Sequence, residues 1–153
     1  MTPAVQSVKK AGIEFRLHEY DGVEIGDGDY ATAVAAALGL PPAQLFKTLV
    51  ASVDGELSVF VVPADRQLDL HAAGKRASLA NQADAERATG YVVGGISPLG
   101  QRRRLPTTID ASALEWDTVL VSAGRRGLQL ELTPQDLVLL TSARVSAIAR
   151  RGS

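Results

Sequence analysis

The chain has 153 residues, with 16 lysines and arginines against 17 aspartates and glutamates, two histidines and no cysteine. At roughly 100–200 residues per domain, that length predicts one domain with a real hydrophobic core. A net charge of −1 excludes a global attraction to nucleic acid, so any such contact must use local patches. The lack of cysteine excludes disulfides, thiolate metal sites and a thiol nucleophile of the protein's own. The opening residues lack the charged-then-apolar pattern of a signal peptide, and no apolar run approaches the ~20 residues of a membrane span. A cytoplasmic protein is expected.

Thr2-Pro3 reads as a helix cap followed by proline at the first helical position, with Val5, Val8 and Ala11 at helical spacing up to Gly12. Residues 13–20 alternate, placing Phe15, Leu17 and Glu19 on one strand face and Arg16, His18 and Tyr20 on the other. Residues 21–29 form a Gly- and Asp-rich loop. An alanine-rich helix over 30–38 follows, closed by Gly39, and Pro41-Pro42 starts a short turn. Two apolar runs, 45–53 and 56–63, flank Asp54-Gly55, a strong hairpin signal. Residues 68–77 and 84–88 look helical, while 91–94 and 118–122 look like strands. Leu128-Gln129-Leu130-Glu131-Leu132 alternates strictly and predicts a half-buried strand. Thr133-Pro134 opens a last helix, and residues 145–149 form a final strand. These elements predict a single α/β domain with a mixed, largely antiparallel sheet.

The candidate chemistry centres on Gly94, Gly95, Ile96, Ser97, Pro98, Leu99 and Gly100, followed by Arg102, Arg103 and Arg104. Three glycines and a proline imply a bent backbone whose amides can approach a ligand closely. Clustered cations beside such a cradle suit a phosphate-bearing or acyl-ester substrate. Lys47 sits inside an apolar strand run, where an ammonium must be paired, or snorkel outward, or lose basicity. Residues 95–99 resemble a nucleophile elbow, but the last glycine is missing. Pro98 also removes the amide that would complete an oxyanion hole, so Ser97 is not expected to be catalytic. Residues 26–31 match a loose dinucleotide fingerprint with no strand leading into it and two aspartates that repel a pyrophosphate. His18 and His71 lie far apart, so no metal site is expected; His18 reads as a solvent-side strand residue. Asp136 follows a Thr133 cap by three positions, a placement that helix-start electrostatics alone explains. The three arginines, with Arg125 and Arg126 in a second turn, could bind phosphates or stand in solvent.

Taken together, Phe46-Lys47-Thr48-Leu49, Gln67-Leu68-Asp69-Leu70, the block 89–101, Arg104-Leu105-Pro106-Thr107, Ile109-Asp110-Ala111, Val121-Ser122 and Arg126-Gly127-Leu128 resemble the YbaK/EbsC-type aminoacyl-tRNA deacylases. That family is related to the editing domain inserted in bacterial prolyl-tRNA synthetases. The resemblance covers almost the whole chain and implies trans-editing of mischarged Cys-tRNA(Pro), with prolyl-tRNA synthetase as partner. Cysteine is close to proline in size, and a pocket cannot strongly reject a near-isostere, so a second site must hydrolyse the error. It further implies that Lys47 is essential and that Gly100 contacts the acyl group within the glycine loop. Tyr20, Tyr30, Thr48, Leu49, Ser122 and Asp136 fall at further pocket positions, and the five arginines are placed along the tRNA backbone. The implied chemistry uses no cofactor, no metal and no protein nucleophile, because the substrate's own thiol attacks its ester. Deacylation of another ester such as Ala-tRNA(Pro), a water-mediated route, and a non-catalytic module binding tRNA or synthetase are the alternatives.

Overall fold

The computed structural model describes residues 1–24 and 29–151; most of the 26–31 fingerprint therefore lies outside the described residues. In chain order the elements are α1 (Pro3–Lys10), β1 (Arg16–Glu19), α2 (Tyr30–Leu38), β2 (Phe46–Val53), β3 (Glu56–Pro63), β4 (Gln67–Leu68) and the single turn α3 (Leu70–Ala73). There follow β5 (Ser78–Leu79), α4 (Gln82–Thr89), β6 (Thr107–Asp110), a 3-10 turn (Ala111–Glu115), β7 (Val119–Arg125), β8 (Leu128–Leu132), α5 (Pro134–Thr141), β9 (Arg144–Ser146) and β10 (Ala149–Arg150). The mixed α/β architecture is as expected, but the strands divide among three sheets. A five-stranded sheet runs β5-β2-β3-β6-β9, a three-stranded one β1-β8-β7, and β10 pairs with β4. Within the sheets only the β3–β6 and β6–β9 ladders are parallel among the described residues. No described helix is long and apolar enough to cross a membrane.

Local chemistry accounts for the elements that the sequence announces. The Thr2 hydroxyl oxygen accepts from the Val5 amide at 3.2 Å, and the same hydroxyl donates to the Ala123 carbonyl, tying α1 to β7. Asp54 and Gly55 both take positive φ, 52° and 87°, as a tight β2–β3 hairpin demands. Gly39 closes α2 in the left-handed region.

Four expectations are corrected. Residues 68–77 hold a strand end and one helical turn rather than a helix. The Asp69 carboxylate caps α3 by accepting from His71 and Ala72, and Gly74 at φ 144° ends it, where a Cβ would meet the Val53 side chain at 2.6 Å. Residues 91–94 turn instead of extending: the Val92 carbonyl accepts from Gly95 N–H and Gly94 adopts φ 88°. The strand over 145–149 splits into β9 and β10. Residue 18 is not simply in solvent, since His18 Nε2 lies 2.7 Å from Glu131 Oε1.

The largest core cluster packs α1, α4 and α5 against the two main sheets through Val8, Phe46, Val61, Ile109, Leu130 and Leu137, among others. A second cluster holds α2 over the point where those sheets meet, through Val34, Ala35, Leu45, Ala64 and Leu120. A third covers the opposite face of β2 and β3 with Leu68 and Ile148.

Asp110 is the latch for the C-terminus. It is 6% exposed; one carboxylate oxygen accepts from the Ile148 and Ala149 amides at 2.9 Å each, the other from Ser112 N–H at 3.2 Å. Asp110→Ala strands three buried or half-buried donors and should cost about 2–4 kcal/mol, read as a lower urea midpoint at unchanged slope.

Candidate active site

The two main sheets meet along β2 but do not pair along all of it. An isolated parallel bridge joins Leu45 to Leu120, with Leu120 N–H donating to the Gln44 carbonyl at 3.1 Å. Farther along, β5 pairs with Ala51 and Ser52, and the Val50 carbonyl accepts from Ala80 N–H at 2.9 Å. Between these two seams no strand among the described residues pairs with the β2 edge. Peptide groups of alternate residues point to opposite edges of an antiparallel ladder. Thr48, two residues before Val50, therefore turns its N–H and C=O to the same open edge.

That gap is a cavity of about 520 Å³, within the range of small-molecule sites. Its walls come from β2 (Phe46, Lys47, Thr48, Leu49), the start of α2 (Asp29, Tyr30), the glycine turn (Val93, Gly94, Ile96), and the paired residues Ser122 and Gln129 of β7 and β8.

Lys47 is half-buried, and its Nζ donates to the Ala64 carbonyl at 3.3 Å. Among the described residues no carboxylate lies within ion-pair distance of it. Desolvation pushes its pKa below the usual lysine value, with the more distant Asp29 and Asp65 pulling it partly back. The result is a cation held at the cavity wall by a neutral carbonyl, with donor capacity to spare.

Tyr30 lines the cavity and Tyr20 braces it from behind, their hydroxyls 3.0 Å apart. Burial and the Tyr20 hydrogen bond raise the Tyr30 pKa well above the ordinary phenol value, against a weaker opposing pull from Arg126. Tyr30 therefore stays neutral.

The glycine turn is gripped from outside. The Glu86 carboxylate accepts from Val93 N–H at 2.8 Å, Arg126 Nε donates to the Val93 carbonyl at 2.9 Å, and the Tyr91 hydroxyl donates to the Leu99 carbonyl. Burial pushes Tyr91 up to about 12, so this last bond is insensitive to physiological pH. Gly95 packs flat on the β7–β8 turn, where a Cβ would sit 2.7 Å from Arg125 Cα. None of these bonds uses the N–H of Gly94 or Ile96, the two residues of the turn that face the cavity with Val93.

The remaining residues singled out in the sequence disperse. Ser97 is fully buried and spends its hydroxyl on Leu99 N–H, and its carbonyl accepts from the Gln101 side chain. Pro98 and Leu99 are buried behind the turn. Gly100 does not line this cavity. At φ 64° its Cβ would stand 2.6 Å from the Pro3 carbonyl oxygen, so close approach to α1 explains the glycine; it lines a separate hollow with Pro98, Arg103 and Arg104. Arg104 donates to the Ser142 hydroxyl, and Arg102 packs beside Gly90. Arg125 and Arg126 lie instead on the glycine turn. Asp136 sits at the start of α5, where its amide donates to the Thr133 cap, and it is not among the lining residues. Gln129, Asp29 and Gln82 line the cavity although sequence reasoning did not single them out. Their signal was weak: Gln129 looked like the polar half of a solvent-facing alternation.

The sequence model of a family described as the aminoacyl-tRNA editing domain matches residues 27–140. EbsC of Enterococcus faecalis, provisionally named a Cys-tRNA(Pro)/Cys-tRNA(Cys) deacylase, is 32% identical in a 157-residue alignment covering 98% of this chain and 94% of that protein. ProXp-y of Escherichia coli strain K12, named a multifunctional Ser/Thr-tRNA deacylase, is 30% identical over 127 residues, 76% of this chain and 73% of that protein. A solved structure described provisionally as a trans-editing enzyme for prolyl-tRNA synthetase superposes with a TM-score of 0.83 at 24% identity, covering 98% of this chain and 99% of that one. At that identity the superposition speaks for the fold, and the sequence matches speak for descent. The chain belongs to the aminoacyl-tRNA editing domain family.

Proposed function

We propose that this protein deacylates mischarged aminoacyl-tRNA in trans, with Cys-tRNA(Pro) as its substrate and prolyl-tRNA synthetase as the source of that substrate. One observation carries the reading: a half-buried Lys47 with no carboxylate at ion-pair distance, and Gly94 and Ile96, whose N–H groups have no protein acceptor, line the same cavity among the described residues. An ester placed there meets a cation for its phosphate or departing 3′-oxygen, and backbone donors for the oxyanion that develops at its carbonyl. The likeness to EbsC, provisionally named for the same ester, supports the choice of substrate.

Among the described residues the cavity wall offers hydroxyls on Thr48 and Ser122 but no histidine to activate them. The nucleophile is accordingly assigned to the substrate. The cysteinyl sulfur attacks its own carbonyl carbon, a C–S bond forms, the C–O3′ bond breaks, and the thiol proton passes to the 3′-oxygen. Water then opens the resulting thiolactone to free cysteine. The protein contributes orientation, which is worth several kcal/mol when the reacting atoms are held in near-attack geometry. Tyr30, braced by Tyr20, closes the cavity beside Lys47, and Leu49 shapes its apolar wall. Arg125 and Arg126 flank the turn and are assigned to the CCA-end phosphates. Arg102, Arg103 and Arg104 are assigned to the acceptor-stem backbone, so binding should weaken steeply with salt.

A water-mediated reading, in which the substrate carries a hydroxyl instead of a thiol, is favoured by the likeness to ProXp-y, named for Ser/Thr-tRNA deacylation. A deacylation panel of Cys-, Ser-, Ala- and Pro-tRNA(Pro) separates the two: hydrolysis confined to the cysteinyl ester, and abolished when its thiol is alkylated, is expected. Hydrolysis that survives alkylation refutes attack by the thiol.

Lys47→Met should abolish turnover while leaving the fold intact. It should also raise the melting temperature at pH 7. A lysine whose folded-state pKa is depressed penalises the folded state fully below that pKa, and the penalty fades as pH rises towards 10.5. The stabilisation by Lys47→Met should therefore shrink between pH 7 and pH 10.5, as thermal melts at the two values will show. Gly95→Ala must push the turn away from Arg125; a displacement of about 1 Å at the oxyanion donors should lower kcat/KM about 100-fold, with a smaller change in stability.

A further inference from the structure

The cavity lining divides into two chemical sets. Among the described residues Lys47 and Asp29 are its charged members, with the Tyr30 phenol held neutral. In the other set, three strands each contribute one uncharged polar side chain: Thr48 of β2, Ser122 of β7 and Gln129 of β8. Ser122 and Gln129 stand directly opposite each other in the antiparallel ladder, so they share a face. Gln129 is 4% exposed, yet its Oε1 has no hydrogen-bond partner among the described residues. The Thr48 hydroxyl, also buried, has none either. The Ser122 oxygen accepts from Gly124 N–H at 3.2 Å, which leaves its own proton to donate.

A buried oxygen left without a donor costs about 1–3 kcal/mol, and two such oxygens on residues that line one cavity point to a ligand that supplies the missing donor once the side chains turn to meet it. An ammonium is the wrong donor. A buried cation demands a paired charge, and the carboxylate lining the cavity, Asp29, belongs with Lys47 to the charged set. A neutral donor fits: a hydroxyl or a thiol at the tip of a small side chain.

Resting on the deacylase reading, we propose that Gln129, with Thr48, determines which ester the site accepts by hydrogen-bonding a neutral O–H or S–H on the aminoacyl side chain. The α-ammonium and the nucleotide lie against the charged set, Lys47 and Asp29. An apolar pocket separates alanine from serine or cysteine poorly. A pocket with buried polar groups rejects the analogue that cannot satisfy them. Alanyl esters, one heavy atom smaller and donor-free, would fit sterically and are therefore disfavoured by the unsatisfied Gln129 amide and not by a clash.

The test uses the whole protein and non-hydrolysable 3′-aminoacylamido-3′-deoxyadenosines carrying serine, cysteine or alanine, with affinities from calorimetry. Wild type should bind the seryl or the cysteinyl analogue about tenfold or more tightly than the alanyl one. The larger of the two preferences identifies hydroxyl or thiol as the donor. Gln129→Met keeps the length of the side chain and removes its amide; Thr48→Val keeps the shape and removes the hydroxyl. Each should collapse the preference towards unity, and if one variant does not fold, the other carries the comparison. Equal wild-type affinities, a preference untouched in both variants (as a buried water serving Gln129 would give), or no binding of any analogue overturns the proposal. The two readings fail separately. An intact preference without ester turnover refutes the deacylase reading alone. Turnover of all three esters at equal kcat/KM refutes the role of Gln129 alone.

Discussion

The site depends on the incomplete pairing of one strand. β2 hydrogen-bonds β3 along its full length, but among the described residues its other edge is engaged only near its two ends, by Leu120 just before its first residue and by β5 with Ala80 at the far end. An uncovered edge inside a folded domain is ordinarily a liability, because its peptide groups are buried without partners. Here the liability becomes the wall of a cavity, and the peptide groups of Thr48 are available to a ligand. Both seams are required. If β5 extended along β2, or if β7 continued past Leu120 as its parallel partner, the cavity would close into continuous sheet. The apolar cluster beneath α2, which includes Leu45, Ala64 and Leu120, pins the first seam. The same segment presents the Ala64 carbonyl to Lys47, so the cation is positioned by the packing that opens the gap.

The glycine turn answers a second constraint. Backbone amides stabilise an oxyanion only if they are fixed in place and not already committed to a protein acceptor. Fixing is done by groups on the far side of the turn: the Glu86 carboxylate, the Arg126 guanidinium and the Tyr91 hydroxyl, each bonded to a backbone atom that does not face the cavity. Gly95 allows the turn to lie against Arg125, and Ser97 is consumed in holding Leu99. The conspicuous glycine-serine-proline run is therefore mostly scaffold, and only Gly94 and Ile96 of it line the cavity among the described residues.

This division explains what could be read from the chain. Elements governed by local rules were legible: the Thr2-Pro3 cap, the Asp54-Gly55 hairpin, the Gly39 stop and the Leu128–Leu132 alternation all need only neighbours in sequence. β6 was not legible, since four residues after a proline have no periodicity to show and owe their strand geometry to β3 and β9 on either side. Lys47, Thr48, Leu49, Tyr30, Gly94, Ile96 and Ser122 line one cavity, but periodicity could not have assembled them; the family resemblance brought them together. Gly100 shows the limit of that transfer. Its glycine identity has a sufficient cause in the close approach of α1, which no one-dimensional pattern announces.

Gln129 marks the opposite limit. In the sequence it is the polar half of a half-buried strand, and on an open sheet its face would be wet. The β1-β8-β7 sheet is not open on that face: Leu120, on the same face as Ser122 and Gln129, packs into the cluster under α2 and against the start of β2. A position that alternation assigns to water is thereby drawn inside with its amide uncommitted. Retaining a buried amide there has a standing cost in stability, and an apolar residue of similar volume would relieve it. Such a residue would also remove the buried amide that β8 contributes to the cavity, and with it, on the proposal above, the means to tell an ester bearing a donor from one that lacks it. The energetic cost of Gln129 in the free protein and the discrimination it provides in the complex are one desolvation term, counted before and after the ligand arrives.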